Sequence, residues 1–145
     1  MDEKVLASRA LQARKLAYAP YSGFLVGASL LCEDGTVYDG GNIENGAYTP
    51  SNCAERTAFF AAIREGHRGF SAIAVAGAPK EQEIPHNICP PCGVCLQVMA
   101  EFCDPDTFRI ILVKNETEYQ VHLLRELLPF GFRLNEADQR TEKKE

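Results

Sequence analysis

The chain has 145 residues, 46% of them hydrophobic, and carries a formal net charge of −5 at pH 7. That length fits one domain, and that apolar content supports a packed core and excludes a disordered chain. The acidic balance supplies few cations to neutralise phosphates, which argues against a nucleic-acid polymer as partner. The charged start Met1-Asp2-Glu3-Lys4 has no apolar segment behind it, and runs such as 73–78 and 110–113 are far too short to span a bilayer. A soluble cytoplasmic protein with no membrane partner is expected.

Residues 3–17 set Val5, Leu6, Leu11 and Leu16 among Ala, Lys and Arg, which predicts an amphipathic helix ending before Pro20. Phe24–Leu31 is apolar, Glu33-Asp34-Gly35 marks a tight turn and Thr36–Ile43 returns, so the stretch reads as a β-hairpin. The Gly- and Asn-rich segment 42–49 is a loop. Ser51 or Asn52 caps a second helix over Ala54–Arg64, with Gly66 suited to its C-terminal left-handed position. Ser71–Gly77 reads as a buried strand and 78–89, with two prolines, as a long exposed loop. Pro91 suits a first helical turn, so a third helix runs over Pro91–Phe102. Phe108–Val113 is a further strand, Glu118–Val121 follows the turn at Lys114-Asn115, and a short helix covers Leu123–Leu128. Alternating helix and strand patterns with hairpin-like steps imply an α/β layered fold with a mixed sheet. No repeat or linker divides it, so one domain over 1–135 is expected, with a flexible tail at 136–145.

Cysteine is where the sequence becomes informative. Six cysteines in a chain without a signal segment point to metal or catalysis before disulfides. Cys92 and Cys95 are three apart in the first turn of a predicted helix, sharing one face, where the helix dipole favours thiolate. Cys53 opens the other helix in the same way, with Glu55 two residues on. Three protein ligands to zinc leave a fourth position for water, whose pKa the metal lowers toward ~7, and an adjacent carboxylate can move the proton. The C-A-E…P-C-x-x-C pattern matches a known signature of zinc deaminases. A second arrangement stays open: Cys53, Cys89, Cys92 and Cys95 could close a four-thiolate structural site in a module that binds a partner. Against it, Pro90-Pro91 keeps the backbone at Cys89 extended and turns its side chain elsewhere. Cys32 and Cys103 read as small buried hydrophobes in a strand and a helix.

From Ala17 to Phe132 the chain resembles the cytidine deaminase family, of the small homotetrameric type. The resemblance rests on Pro20-Tyr21-Ser22-Gly23-Phe24 with Val26-Gly27-Ala28, and on Gly41-Asn42-Ile43-Glu44-Asn45. It continues through Asn52-Cys53-Ala54-Glu55-Arg56-Thr57-Ala58, Pro91-Cys92-Gly93-Val94-Cys95 with Gln97, and Leu127-Leu128-Pro129 before Phe132. It implies a three-layer α-β-α sandwich around a mixed five-stranded sheet, with one Zn2+ per chain on Cys53, Cys92 and Cys95. The implied reaction is hydrolytic deamination of cytidine and 2′-deoxycytidine, with Glu55 as proton carrier. Phe24 would stack on the pyrimidine, Asn42 and Glu44 would bind the ribose hydroxyls, and the groups around Ala54 and Glu55 would read the base edge. Arg56 would donate to the thiolates, and Tyr48 and Phe132 would reach neighbouring sites in a homotetramer.

Three departures bear on substrate choice. Leu96 and Pro90 replace the family's usual Arg and Ser or Thr, and the stretch between Cys53 and Cys92 is longer, with the excess falling in 80–87. All three are expected at the rim of the site or just behind the metal ligands, which raises N4-substituted cytidines or a cytosine nucleoside antibiotic as alternative substrates.

Overall fold

A computed structural model describes residues 1–134, so the tail assigned to 136–145 lies outside the described residues. The elements are α1 (Glu3–Ala13), β1 (Phe24–Cys32), β2 (Val37–Gly41), α2 (Ala54–Arg64), β3 (Phe70–Pro79), α3 (Gly93–Phe102), β4 (Arg109–Val113), β5 (Tyr119–Leu123) and the short α4 (Leu124–Leu127). The five strands form one sheet in the order β2-β1-β3-β4-β5. Only β3 and β4 pair in parallel; the other neighbours are antiparallel. Parallel neighbours cannot be joined by a tight turn, and α3 supplies the crossover.

The sheet buries both faces, which explains why β3 is continuously apolar and does not alternate. Toward α1 it offers Ala72, Ala74 and Ala76 beneath Leu6, Ala7 and Ala10, small residues that let helix and sheet approach closely. Toward α2 and α3 it offers Ile73, Val75, Leu30 and Ile110 against Phe59, Met99 and Phe108. The result is the expected three-layer α-β-α sandwich on a mixed sheet. On the α2 face, Gly40 leaves room for helix backbone: a Cβ there would stand 2.7 Å from the Ala54 carbonyl oxygen and 2.8 Å from the Ala58 nitrogen.

Several boundaries move, each for a local reason. The first helix stops at Ala13 and tightens into a single 3-10 turn over Arg14–Leu16. Arg14 is buried there and donates to the carbonyls of Leu25, Ala78, Pro79 and Glu83. β3 runs two residues further than expected, to Pro79, because β1 pairs with it along its whole length. The N-cap of α2 is Cys53, not Ser51 or Asn52, and α3 begins at Gly93 behind Cys92, with Pro91 outside the helix. Cys103 is the C-cap of α3 and not within it. Gly66 does follow α2 in the left-handed region, at φ +97°.

Candidate active site

Two helices that begin on cysteine meet at one end of the sheet. Cys53 and Cys92 take extended backbone angles, φ −72° for each, and neither side chain caps its helix by hydrogen bonding. A Ser or Asn at such a position is worth about 1 kcal/mol to a helix. The chain forgoes that stabilisation twice and turns both sulfurs toward each other. Cys53 Sγ and Cys92 Sγ lie 3.9 Å apart, Cys92 Sγ and Cys95 Sγ 3.6 Å apart, and all three sulfurs fall within 4.8 Å of one another. A tetrahedral zinc with Zn–S bonds of about 2.3 Å holds its sulfurs about 3.8 Å apart, so the trio fits zinc closely. Cys89 is not one of the group. The described residues therefore present three sulfurs, not four, which disfavours the closed structural site.

The electrostatics suit a cation. Arg56 donates through Nη2 to Cys53 Sγ at 3.3 Å, while its Nε is buried without a hydrogen-bond partner among the described residues. Hydrogen bonding from Cys95, together with Arg56, holds the Cys53 thiol down at about 5. The same hydrogen bond, with burial, pushes the Cys95 thiol well above its ordinary value. Without metal the cluster thus shares protons around one thiolate; a bound cation displaces them. Burial pushes the Cys89 thiol up to about 11, consistent with a bystander in its protonated form.

Glu55, in the first turn of α2, is 4% exposed. Burial, reinforced by the charge on Cys53, raises its carboxyl to about 7. A carboxyl at that value exchanges protons readily in either direction near neutral pH. It lines a cleft of about 350 Å³ together with Asn42, Glu44, Ala54, Arg56 and the thiols of Cys53 and Cys92.

The loop residues on the other wall are held firmly. The Asn42 side chain bridges two backbone groups of β1, accepting from Val26 N–H and donating to the Phe24 carbonyl, both at 2.9 Å. Glu44 Oε1 accepts from the N–H groups of Tyr21 and Ser22 at 3.0 and 3.1 Å, and Glu44 Oε2 accepts a short bond from the Ser22 hydroxyl. Those bonds, Ser22 foremost, keep the Glu44 carboxyl below its ordinary range. Phe24 sits at the start of β1, 36% exposed, its ring and the Cys89 sulfur crowding the same face of Gly77. Tyr48 lies in an adjoining hollow that shares Glu44 and Ser51 with the cleft. Phe132 is apart, its carbonyl accepting from Gln97 at 2.8 Å and its ring 68% exposed.

Sequence reasoning missed Val26, Ser51 and Asn52 as cleft lining, placed Pro90 correctly at the rim, and weighed Cys89 only as a fourth zinc ligand although it lines the cleft. For Cys89 a signal existed, since it closely precedes the zinc helix. Two expectations at the rim need correction. Leu96 is packed in the core beneath α3. Residues 80–87 run over the α1 side, with the Glu83 carbonyl bonded to Arg14 and Ile84 beside Leu11, and do not line the cleft. Of the three departures, only Pro90 lies at the cleft.

A sheet carrying three zinc-spaced thiols at two helix starts, with a buried carboxyl beside them, defines a candidate zinc site equipped for proton transfer in a cleft. Residues 1–110 match the family profile described as the cytidine and deoxycytidylate deaminase zinc-binding region, and the chain belongs to that family. It is 48% identical over 132 residues to a cytidine deaminase of Halalkalibacterium halodurans, covering 91% of this chain and 95% of that one. A cytidine deaminase of Sporosarcina psychrophila is 46% identical over 132 residues, covering 91% and 92%. Among solved structures, the cytidine deaminase of Burkholderia pseudomallei superposes with a TM-score of 0.81 at 43% identity, over 91% of this chain and all of that one.

Proposed function

We propose that the protein deaminates cytidine and 2′-deoxycytidine hydrolytically, yielding the uracil nucleosides and ammonia. The observation that carries this reading is the convergence of Cys53, Cys92 and Cys95 beside the buried carboxyl of Glu55 at the cleft floor. Zinc held by Cys53, Cys92 and Cys95 would supply a Lewis acid that makes water nucleophilic near neutral pH. Glu55 takes a proton from the attacking water and passes it to N3 of the base as oxygen adds at C4. It then takes the remaining proton from the added hydroxyl and delivers it to the exocyclic nitrogen, so that a C4 carbonyl forms as the C4–N bond breaks and ammonia leaves. One carboxyl serves both transfers because its raised pKa leaves neither protonation state strongly favoured.

On the opposite wall, Asn42 retains one amide N–H and one carbonyl lone pair after bridging β1, and Glu44 retains one lone pair on Oε2. These are the donors and acceptors that ribose hydroxyls need. Phe24 offers its partly exposed ring to the pyrimidine. Tyr48 and Phe132, 74% and 68% exposed, are surplus to the chain's own cleft floor, which supports a homotetramer whose sites are completed by neighbouring subunits. The six free thiols suit a reducing compartment such as the cytoplasm.

The test is ultraviolet monitoring of cytidine, 2′-deoxycytidine and N4-acetylcytidine with the zinc-loaded protein, followed by chelation and zinc return. Turnover of the first two, lost and regained with zinc, is expected. No deamination of either by zinc-loaded protein overturns the reading.

A further inference from the structure

A second convergence of ligating side chains lies at the far end of α2. Cys32 ends β1, Asp34 sits in the turn to β2, and His67 follows Gly66 beyond the helix. The Cys32 sulfur, a carboxylate oxygen of Asp34 and a ring nitrogen of His67 all lie within 4.8 Å of one another. His67 Nδ1 stands 3.6 Å from Asp34 Oδ2. α2 has 11 residues, and at 1.5 Å per residue its length of about 16 Å separates this cluster from the Cys53 end.

Each donor is mounted on ordered backbone. The N–H of His67 donates to the Ala62 carbonyl and that of Gly66 to the Ile63 carbonyl, both at 3.0 Å. Cys32 N–H donates to the Thr36 carbonyl at 2.9 Å, and Glu33 N–H to the Gly69 carbonyl at 3.0 Å. The hairpin and the segment beyond α2 are thus already held together when the three side chains meet. Tyr38 stands edge-on against the His67 ring at 5.3 Å and limits its rotation.

Thiolate, imidazole and carboxylate together form a borderline donor set that suits Zn2+ over harder cations such as Mg2+ or Ca2+. Cys32 is 1% exposed, whereas the Asp34 side chain is 58% exposed, so a cation here is buried on its sulfur side and open to water on the other. Glu33 adjoins Asp34 in the turn, while Glu65 is paired with Arg64 and Arg68 donates to the His67 carbonyl, so the ligands themselves supply the negative charge a cation needs. We propose that Cys32, Asp34 and His67 form a second, structural Zn2+ site that clips the β1–β2 hairpin to the end of α2. On binding, the Cys32 thiol gives its proton to solvent, the His67 ring ligates in its neutral form, and water completes the coordination.

The test counts zinc on full-length protein incubated with excess Zn2+ and freed of unbound metal by gel filtration. The parent should hold two zinc ions per chain. His67→Ala and Asp34→Ala, both changes near the surface, should each hold one while keeping cytidine turnover. Loading with Co2+ should give less thiolate-to-cobalt absorption in His67→Ala than in the parent. One zinc in the parent under excess Zn2+ overturns the proposal and leaves a plain Asp34–His67 pair above a buried thiol. Two zinc ions that persist in both variants also overturn it, by locating the second ion elsewhere. The difference of one ion between parent and variant reads this site alone, whatever happens at Cys53.

Discussion

Gly40→Ala tests how the sheet seats the zinc helix. The added Cβ would stand 2.7 Å from the Ala54 carbonyl oxygen and 2.8 Å from the Ala58 nitrogen, against an ordinary contact of 3.4 Å or more. Both opposing atoms are helix backbone, so no side chain can swing aside, and α2 must retreat by about 0.7 Å, the 3.4 Å contact less 2.7 Å. Overpacking of this kind costs roughly 1–3 kcal/mol. At ~2–4 °C per kcal/mol for a chain near this size, the melting temperature should fall by roughly 2–12 °C. The same retreat carries Cys53 and Glu55, at the near end of α2, away from Cys92 and the cleft. Functional geometry tolerates about 0.5 Å, and a 1 Å misplacement costs about 100-fold, so kcat should fall by at least about 10-fold. Gly66→Ala is the matched control at the other end of the helix. Its φ of +97° strains any Cβ although nothing stands within 4 Å, so stability falls while kcat per active site holds. The measurements are thermal unfolding and steady-state kinetics on both variants. An unchanged kcat in Gly40→Ala, or an equal loss in Gly66→Ala, refutes the reasoning.

Asn42→Ala removes two 2.9 Å bonds to β1 and should cost about 2 kcal/mol, at about 1 kcal/mol for each bond, besides raising KM for nucleosides. A raised KM with unchanged denaturant midpoint would make Asn42 a substrate contact only. Glu44 titrates below its ordinary range in the folded chain, so its hold on Tyr21 and Ser22 is complete above about pH 4.5, its unperturbed value, and fails as pH falls through the folded pKa. Ser22→Ala should therefore raise the Glu44 pKa in an NMR titration and move the acid-side rise in KM to higher pH. Arg56→Gln should weaken zinc retention about 10–100-fold against a competing chelator while leaving circular dichroism unchanged, because the thiolates lose their charged donor.

The legibility of the chain follows from how local each signal is. The hairpin was readable because Glu33-Asp34-Gly35 punctuates an apolar run and its return, and α2 because Gly66 marks its C-terminal end. Cys53, Cys92 and Cys95 were readable because helix starts impose direction on side chains, and two such starts carry thiols. The capping residues were misjudged for the same reason: propensity favours Ser51 or Asn52, and the metal site overrides it with cysteine. Leu96 and residues 80–87 were misplaced because facing is a tertiary property. Leu96 follows a ligand in sequence yet turns into the core, and Arg14, a residue with no local signal of burial, draws the Glu83 carbonyl to the α1 side. The cluster of Cys32, Asp34 and His67 spans 36 residues from first to last and gave no spacing pattern to read.

The most direct test of the account is Glu55→Gln, measured for zinc content and cytidine turnover on the same preparation. The amide keeps the shape of a side chain that is 4% exposed but cannot carry protons. Zinc content equal to that of the parent, with kcat reduced by about 10²–10⁴, is the result expected of a proton carrier beside an intact metal site. Zinc content equal to the parent's with turnover near the parent's would contradict it.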